Sequence, residues 1–465
     1  MKKYLLTFQA ALMAGISIVT LSCGAGQTGE NNAKLRSAAP AATNWTIDQY
    51  QVSVNGESFF ANGVSYSPVP WGSCSAFNPY GDFTINTWSS VWQRDLALMR
   101  ANGINMLKTY NTLDSAQLVA AGNPPTWDHD HSMFLNSCWN NGQDPVYVMM
   151  GYAPPKNNMS IFLSSTWSSP ANVTARAAIK TNLVNLAAEW GSYPAVMGFV
   201  LANEINADNV VNNSAFFTYW NDVANAMQAV APGKLVTLAN VDDGMITVDS
   251  GNTYMTATNF FWGYNSYRGN WTNSNGFDAL FSTFQTATAG NPHPLMLTEW
   301  GAPASTHVNG QMANLSSLQM QNLATYVTGH YNNMLANRSD GSSGVCCGGA
   351  YFEWTDEWWK ADPAGMECNA PAAAPACHTG IWDTSAAQVA GFPGGYWDEE
   401  GFGLYGIAPV NSSGRQPVVP GGCIGPWNPS TNSPYSPDVL TVRAQATALF
   451  NAMSAGNQQA LKAKK

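Results

Sequence analysis

Charge is scarce in this chain: Asp, Glu, Lys and Arg together make up 10% of its 465 residues. No basic cluster offsets the net charge of −10 or the pI near 5.0, which argues against nucleic acid as a partner. No CxxC pair is present, so the eight cysteines do not form a zinc-binding pattern, and His129-Asp-His131 reads as a loop in place of a ligand set. A cofactor motif and an internal repeat are both missing, so neither metal nor cofactor is expected. Beyond the first residues no apolar run is long enough to span a bilayer.

The start of the chain is different. Met1-Lys-Lys-Tyr4 followed by an apolar stretch to Leu21 has the charged and apolar regions of a secretory signal over residues 1–22. Thr20-Leu-Ser-Cys-Gly24 resembles a bacterial lipoprotein processing site, with Cys23 as the acylated residue. Threonine stands three positions before that cysteine where leucine is usual, so ordinary cleavage nearby is the alternative. Residues 23–43 read as a polar tether. The expectation is an exported protein held to the membrane by an N-terminal lipid, or secreted if Cys23 is not modified. Cysteines in an exported chain point to disulfides, and the pairs expected are Cys74 with Cys138, Cys368 with Cys377, and Cys346 or Cys347 with Cys423.

What is abundant is aromatic. Eighteen Trp and 18 Tyr, many beside Asn, Gly or Ser, suit surfaces that stack sugar rings while polar neighbours hold hydroxyls; the same composition also fits an aromatic-rich core. Gln51 to Phe60 reads as two short strands around Asn55-Gly56, a hairpin to cover a barrel floor. Strand and helix patterns then alternate. Strands are expected at 59–67, 104–110, 146–150, 196–204, 235–239, 259–267, 295–299 and 348–354, with helices at 88–101, 172–190, 216–230 and 315–336 and a closing helix at 440–453. This predicts an α/β fold, a (β/α)8 TIM barrel over residues 44–456, with a loop-rich insertion at 361–437 and a tail at 457–465. A monomer is expected.

Two segments carry the chemistry. Asn203-Glu204 ends the apolar run from Val196, and Glu299 ends the run Pro294-Leu-Met-Leu-Thr-Glu299; the glutamates lie 95 residues apart, the spacing of the fourth and seventh strands of a barrel. Strand C-termini of such barrels open onto one face, where two carboxylates can converge across a substrate. A pair so placed is the minimal equipment for cleaving a glycosidic bond. Either glutamate taken alone also fits a strand end that faces solvent or an arginine.

The strand ends resemble those of glycoside hydrolase clan A, and within it the β-1,3-glucanosyltransferase family. Phe59-Phe-Ala-Asn-Gly-Val-Ser-Tyr66 is similar to the family's first strand, Asn105-Met-Leu-Lys-Thr-Tyr110 to the second, and Gly198-Phe-Val-Leu-Ala-Asn-Glu204 to the acid/base strand. Gly263-Tyr-Asn-Ser-Tyr267, Thr298-Glu-Trp-Gly301 and Gly348-Gly-Ala-Tyr-Phe-Glu-Trp-Thr355 resemble the sixth, seventh and eighth. Lys108 stands where the clan usually has arginine, and Gly151 where the third strand offers an aspartate.

The resemblance implies a retaining β-glycosidase or transglycosylase acting on a β-linked oligo- or polysaccharide, expected to be β-1,3-glucan. Glu204 is the proton donor and Glu299 the nucleophile, about 5–5.5 Å apart in enzymes of this kind. Asn203 is suited to the sugar 2-hydroxyl and Tyr267 to orienting Glu299, while Tyr66, Lys108, Tyr110 and Trp354 are expected to line the cleft. The alternatives are a hydrolase of β-mannan or cellulose type and a non-catalytic glycan-binding lipoprotein.

Overall fold

The computed structural model describes residues 43–70, 82–112, 130–152, 160–206, 213–268, 276–309, 311–340, 343–357, 388–408, 415–417, 424–427 and 437–463. The signal, Cys23, Cys74, Cys423 and the Cys368–Cys377 pair therefore lie outside the described residues. Among the described residues no helix is long and apolar enough to cross a membrane.

Three short antiparallel strands come first: β1 (Trp45–Asp48), β2 (Gln51–Val54) and β3 (Glu57–Ser58). The turn between β2 and β3 places Asn55 and Gly56 at φ of 52° and 88°, the left-handed region that an Asn-Gly hairpin requires. Eight parallel strands then close a barrel: β4 (Ala61–Ser65), β5 (Met106–Lys108), β6 (Tyr147–Gly151), β7 (Val196–Asn203), β8 (Leu235–Val241), β9 (Phe260–Asn265), β10 (Leu295–Trp300) and, after the hairpin β11 (Ser305–Val308) and β12 (Gln311–Asn314), β13 (Cys346–Tyr351). Glu204 thus follows the fourth barrel strand, and Glu299 lies on the seventh.

The barrel strands are buried on both faces, as parallel strands covered by helices must be, and their side chains divide by parity. Met106, Phe261, Met296 and Ala350 point into the barrel together with Trp45, Val52 and Phe59 from the N-terminal strands. The Trp45 ring meets Phe59 at 4.9 Å and Tyr147 at 4.8 Å, both edge-on, so the small sheet does cover the barrel floor. Leu107, Phe260, Trp262, Leu295 and Leu297 point outward to the helices.

Three helices absent from the sequence-based expectation occupy Ser132–Trp139, Ile246–Gly251 and Asp278–Thr288. The closing helix runs Ala444–Ala463, so residues 457–463 extend it, and Leu440 sits in a short strand (Val439–Val442) that pairs antiparallel with Tyr405–Ala408. Cys138, Cys346 and Cys347 are buried free thiols, which corrects the pairings with Cys74 and Cys423. Parity is the reason for the last two: Cys346 packs in the helix layer and Cys347 inside the barrel. Cys138 is likewise enclosed, on the Ser132–Trp139 helix.

One buried ion pair braces the outer layer. His131 Nε2 meets Asp82 Oδ2 at 2.6 Å, and the Thr84 hydroxyl donates to the same carboxylate at 2.7 Å. Burial alone would lower the imidazole pKa, but the Asp82 charge and hydrogen bond, with smaller help from Glu189 and Asp130, raise it overall. A folded value above the unfolded one means that the pair's stabilisation is full below about pH 6.5 and is lost as pH rises through the raised value. The urea midpoint of the intact protein is expected to fall over that interval relative to a His131→Gln variant. Parallel pH curves for the two proteins would refute the assignment.

Candidate active site

The C-terminal ends of the barrel strands open into a cleft of about 890 Å³, lined by Tyr110, Asn203, Glu204, Asp242, Asn265, Tyr267, Arg268, Glu299, Phe352 and Trp397 among others. A volume of that order suits a small ligand or a few sugar units. Glu299 is 5% exposed and both its oxygens are engaged. Lys108 Nζ and the Tyr110 hydroxyl donate to Oε1 at 2.6 and 2.8 Å, and the Tyr267 hydroxyl donates to Oε2 at 2.8 Å. Burial, then the Glu299 charge, pushes the pKa of both phenols well above its ordinary value, so they remain donors.

A chain of side chains joins the two glutamates. Lys108 also donates to Asn203 Oδ1 at 2.9 Å; because an ammonium has only donors, this fixes which way the Asn203 amide faces. Asn265 Nδ2 donates to Asn203 Oδ1 at 3.2 Å and to Glu204 Oε1 at 2.9 Å, while its own oxygen accepts from the Thr298 hydroxyl at 2.8 Å. The Asn203 oxygen is thereby occupied twice, and its Nδ2 remains as the donor edge.

Two irregularities in the sheet aim these groups. By parity with Met296, Glu299 would face the helices. The register between β10 and β9 slips between Leu297 and Glu299, so both Thr298 and Glu299 serve the cleft side. A second slip between Val200 and Asn203 on β7 does the same for Asn203. Bulges at barrel rims commonly re-aim side chains in this way. Glu204 itself has φ +56°, a left-handed conformation costing on the order of 1–3 kcal/mol in a non-glycine residue, and its N–H donates to Ala239 O at 2.7 Å. Lys108 and Tyr110 need no such device: they share the parity of Met106.

Gly151 has a steric reason. A Cβ there would lie 2.0 Å from the Thr109 carbonyl oxygen, so no aspartate fits at this strand end without moving the backbone.

Of the residues expected in the cleft, Glu204, Glu299, Lys108, Tyr110, Asn203 and Tyr267 converge, and Tyr66 and Trp354 do not. Tyr66 has the outward parity of Val64; it is 1% exposed and donates to Asp95 Oδ2 at 2.9 Å under the Ser89–Ala101 helix. Trp354 is fully buried against Tyr405 (4.7 Å), held by its backbone N–H to Ser65 O at 3.0 Å. Phe352, two residues earlier, takes the cleft position, with its ring 6.4 Å from Tyr110 and 6.3 Å from Tyr267.

Sequence reasoning passed over Asn265, Asp242, Arg268 and Trp397. Asn265 was legible in principle, since it shares the parity of Tyr267 on one strand end. Arg268 clasps Asp242 at the cleft edge, an ion pair between the ends of β8 and β9 with nothing in the sequence to announce it. Among the described residues no group of three or more His, Cys, Asp or Glu converges as a metal site.

No family model and no curated protein matches the chain. Among solved structures it is similar to ScGas2 in complex with compound 6, at 15% identity and a TM-score of 0.49, covering 89% of this chain and 69% of that one. It is also similar to Saccharomyces cerevisiae Gas2p in complex with laminaripentaose, at 14% identity and a TM-score of 0.47, covering 89% and 70%. A Faecalibacterium prausnitzii β-glucuronidase is 14% identical with a TM-score of 0.45; the match covers 68% of this chain but 45% of the glucuronidase. At that distance the site's own geometry has to carry the chemistry.

Proposed function

We propose that the protein is a retaining β-glycosidase or transglycosylase, with Glu299 as nucleophile and Glu204 as acid/base. The observation that carries this reading is the treatment of Glu299: a nearly buried carboxylate held by three donors on two oxygens, sharing one cleft and one hydrogen-bonded chain with a second glutamate. A structural carboxylate would not need a cleft. A nucleophile needs to be ionised, oriented and reachable.

In the first step Glu204 donates its proton to the leaving oxygen while a Glu299 oxygen attacks the anomeric carbon, breaking the glycosidic bond and forming a glycosyl ester. Asn203 Nδ2 is the donor left to hold the sugar 2-hydroxyl. In the second step Glu204 takes the proton from water or from a sugar hydroxyl, which displaces Glu299 and restores the β configuration. The substrate we assign, β-1,3-glucan, is that of the glucanosyltransferases whose strand-end residues this sequence resembles.

The test is a panel of laminari-, cello- and manno-oligosaccharides with fresh products followed by proton NMR and chromatography. β-Configured first products are expected, with some longer than the starting oligosaccharide at millimolar substrate. An initial α-anomer would overturn retention, purely shorter products would reduce the claim to hydrolysis, and preference for cello- or manno-oligosaccharides would move the substrate.

A further inference from the structure

The connection after β13 re-enters the described residues at Gln388, and one part of it reaches the cleft. Trp397 is half-buried and lines the cavity; its ring meets Tyr267 edge-on at 4.8 Å, Phe402 at 5.4 Å and Phe392, nearly parallel, at 5.4 Å. Its indole N–H donates to Glu399 at 3.1 Å, so the polar edge of the ring is satisfied. Tyr267 is the phenol bonded to Glu299 Oε2, which leaves the indole one side chain away from that carboxylate.

The residues on either side of Trp397 are clamped to the β11–β12 hairpin, the segment that directly follows the Glu299 strand. Asp398 is 0% exposed and accepts from the Ser305 hydroxyl at 2.6 Å and from His307 Nε2 at 2.7 Å. Tyr396 stacks on the His307 ring at 4.0 Å, and the Thr306 hydroxyl donates to Gly394 O at 2.8 Å. Ser305 directs its hydroxyl to the aspartate instead of to His307, so the cluster does not have the order of an activated serine. It is a brace. A buried carboxylate is costly unless fully bonded, and one inserted next to a cleft-lining indole fixes that indole against the wall that carries Glu299.

We propose that Trp397 is the stacking platform for the sugar ring adjoining Glu299, and that Asp398 is its positioning residue, acting through Ser305 and His307. The ligand is a β-linked hexose oligosaccharide that lays the C–H face of one ring on the indole, a surface with an apolar body and satisfied polar edge. The inference rests on the glycan-active reading above. It assigns to Trp397 the task for which Trp354, sealed beneath Tyr405, is unsuited.

The test is calorimetric titration of laminaripentaose, cellopentaose and mannopentaose into the full chain carrying Glu204→Gln to stop turnover, with and without changes at the platform. Trp397→Ala is expected to weaken the best of the three by about tenfold or more, and Trp397→Phe by no more than about threefold. Should the alanine variant not fold, Trp397→Leu, apolar but without a flat face, carries the same expectation as alanine. Asp398→Asn is expected to weaken binding when Trp397 is present and to add nothing once Trp397 is alanine or leucine, a non-additivity that a merely structural aspartate would not produce. Unchanged affinity in Trp397→Ala or Trp397→Leu would overturn the platform while leaving the glycan reading intact. Additive losses would overturn the positioning role. Failure of the intact chain to bind or cleave any of the three would overturn both readings together.

Discussion

Glu299→Gln is expected to lower turnover on the best β-glucan by at least about 1,000-fold while leaving the protein folded, and Glu204→Gln to do the same by a different route. At Glu299 the substitution removes the attacking oxygen but can keep the local bonds. The amide oxygen faces Lys108 and Tyr110, which donate, and the amide nitrogen faces Tyr267, whose hydroxyl can turn to accept. At Glu204 the glutamine oxygen still accepts from Asn265 Nδ2, so the loss is the proton and not the position. The two variants separate on substrates with good leaving groups. There a Glu204→Ala protein no longer needs its acid for the first step, and azide entering the space of the carboxylate is expected to restore part of the rate and to yield a β-configured azide. Glu299 variants are not expected to respond in this way. Near-normal turnover in either glutamine variant, with thermal unfolding unchanged, would remove that glutamate from the mechanism.

How much of this was legible in the chain depends on whether parity held. Along β5 and β9 it held: Met106, Lys108 and Tyr110 share one face, as do Phe261, Asn265 and Tyr267, so the alternation that marks a strand also marks which residues reach the cleft. The same parity could have rejected Tyr66, which falls on the face of Val64. On β7 and β10 parity fails through bulges, and a bulge leaves no trace in composition; Asn203 and Glu299 were found by their strand-end position and by resemblance, not by periodicity. After the eighth strand neither guide applies. Trp354 and Trp397 are both tryptophans among glycines and acidic residues, and only the course of the chain, which seals one under Tyr405 and brings the other to Tyr267, tells them apart. The pairings expected of Cys138, Cys346 and Cys347 failed for a related reason, since spacing along the chain says nothing of whether a thiol faces the barrel interior or the helix layer.

Lys108→Met is expected to lower kcat/KM by at least about 100-fold, because it strips the only full positive charge that touches Glu299 among the described residues. The side chains of Lys108 and Glu299 are 2% and 6% exposed, so neither bulk water nor a solvent cation readily replaces the ammonium. Tyr110 and Tyr267 would still donate, yet each supplies a dipole where the carboxylate has lost a charge. Asn203 is affected as well: its oxygen would keep only the Asn265 donor, which loosens the amide proposed to hold the substrate. Stability should follow the same logic. Removing one partner of a buried pair typically costs about 3–5 kcal/mol, mostly through the charge left behind. A second change, Glu299→Gln, takes that charge away, so the double variant Lys108→Met/Glu299→Gln is expected to be more stable than Lys108→Met alone, although it is less active because the attacking carboxylate is gone. Lys108→Arg is expected to recover little, because the ammonium is a compact donor set 2.6 and 2.9 Å from two acceptors and the broader planar guanidinium does not fit the same space. If urea unfolding instead shows the two substitutions to be additive, Lys108 and Glu299 are not an electrostatic unit, and the geometry on which the nucleophile assignment rests loses its central contact.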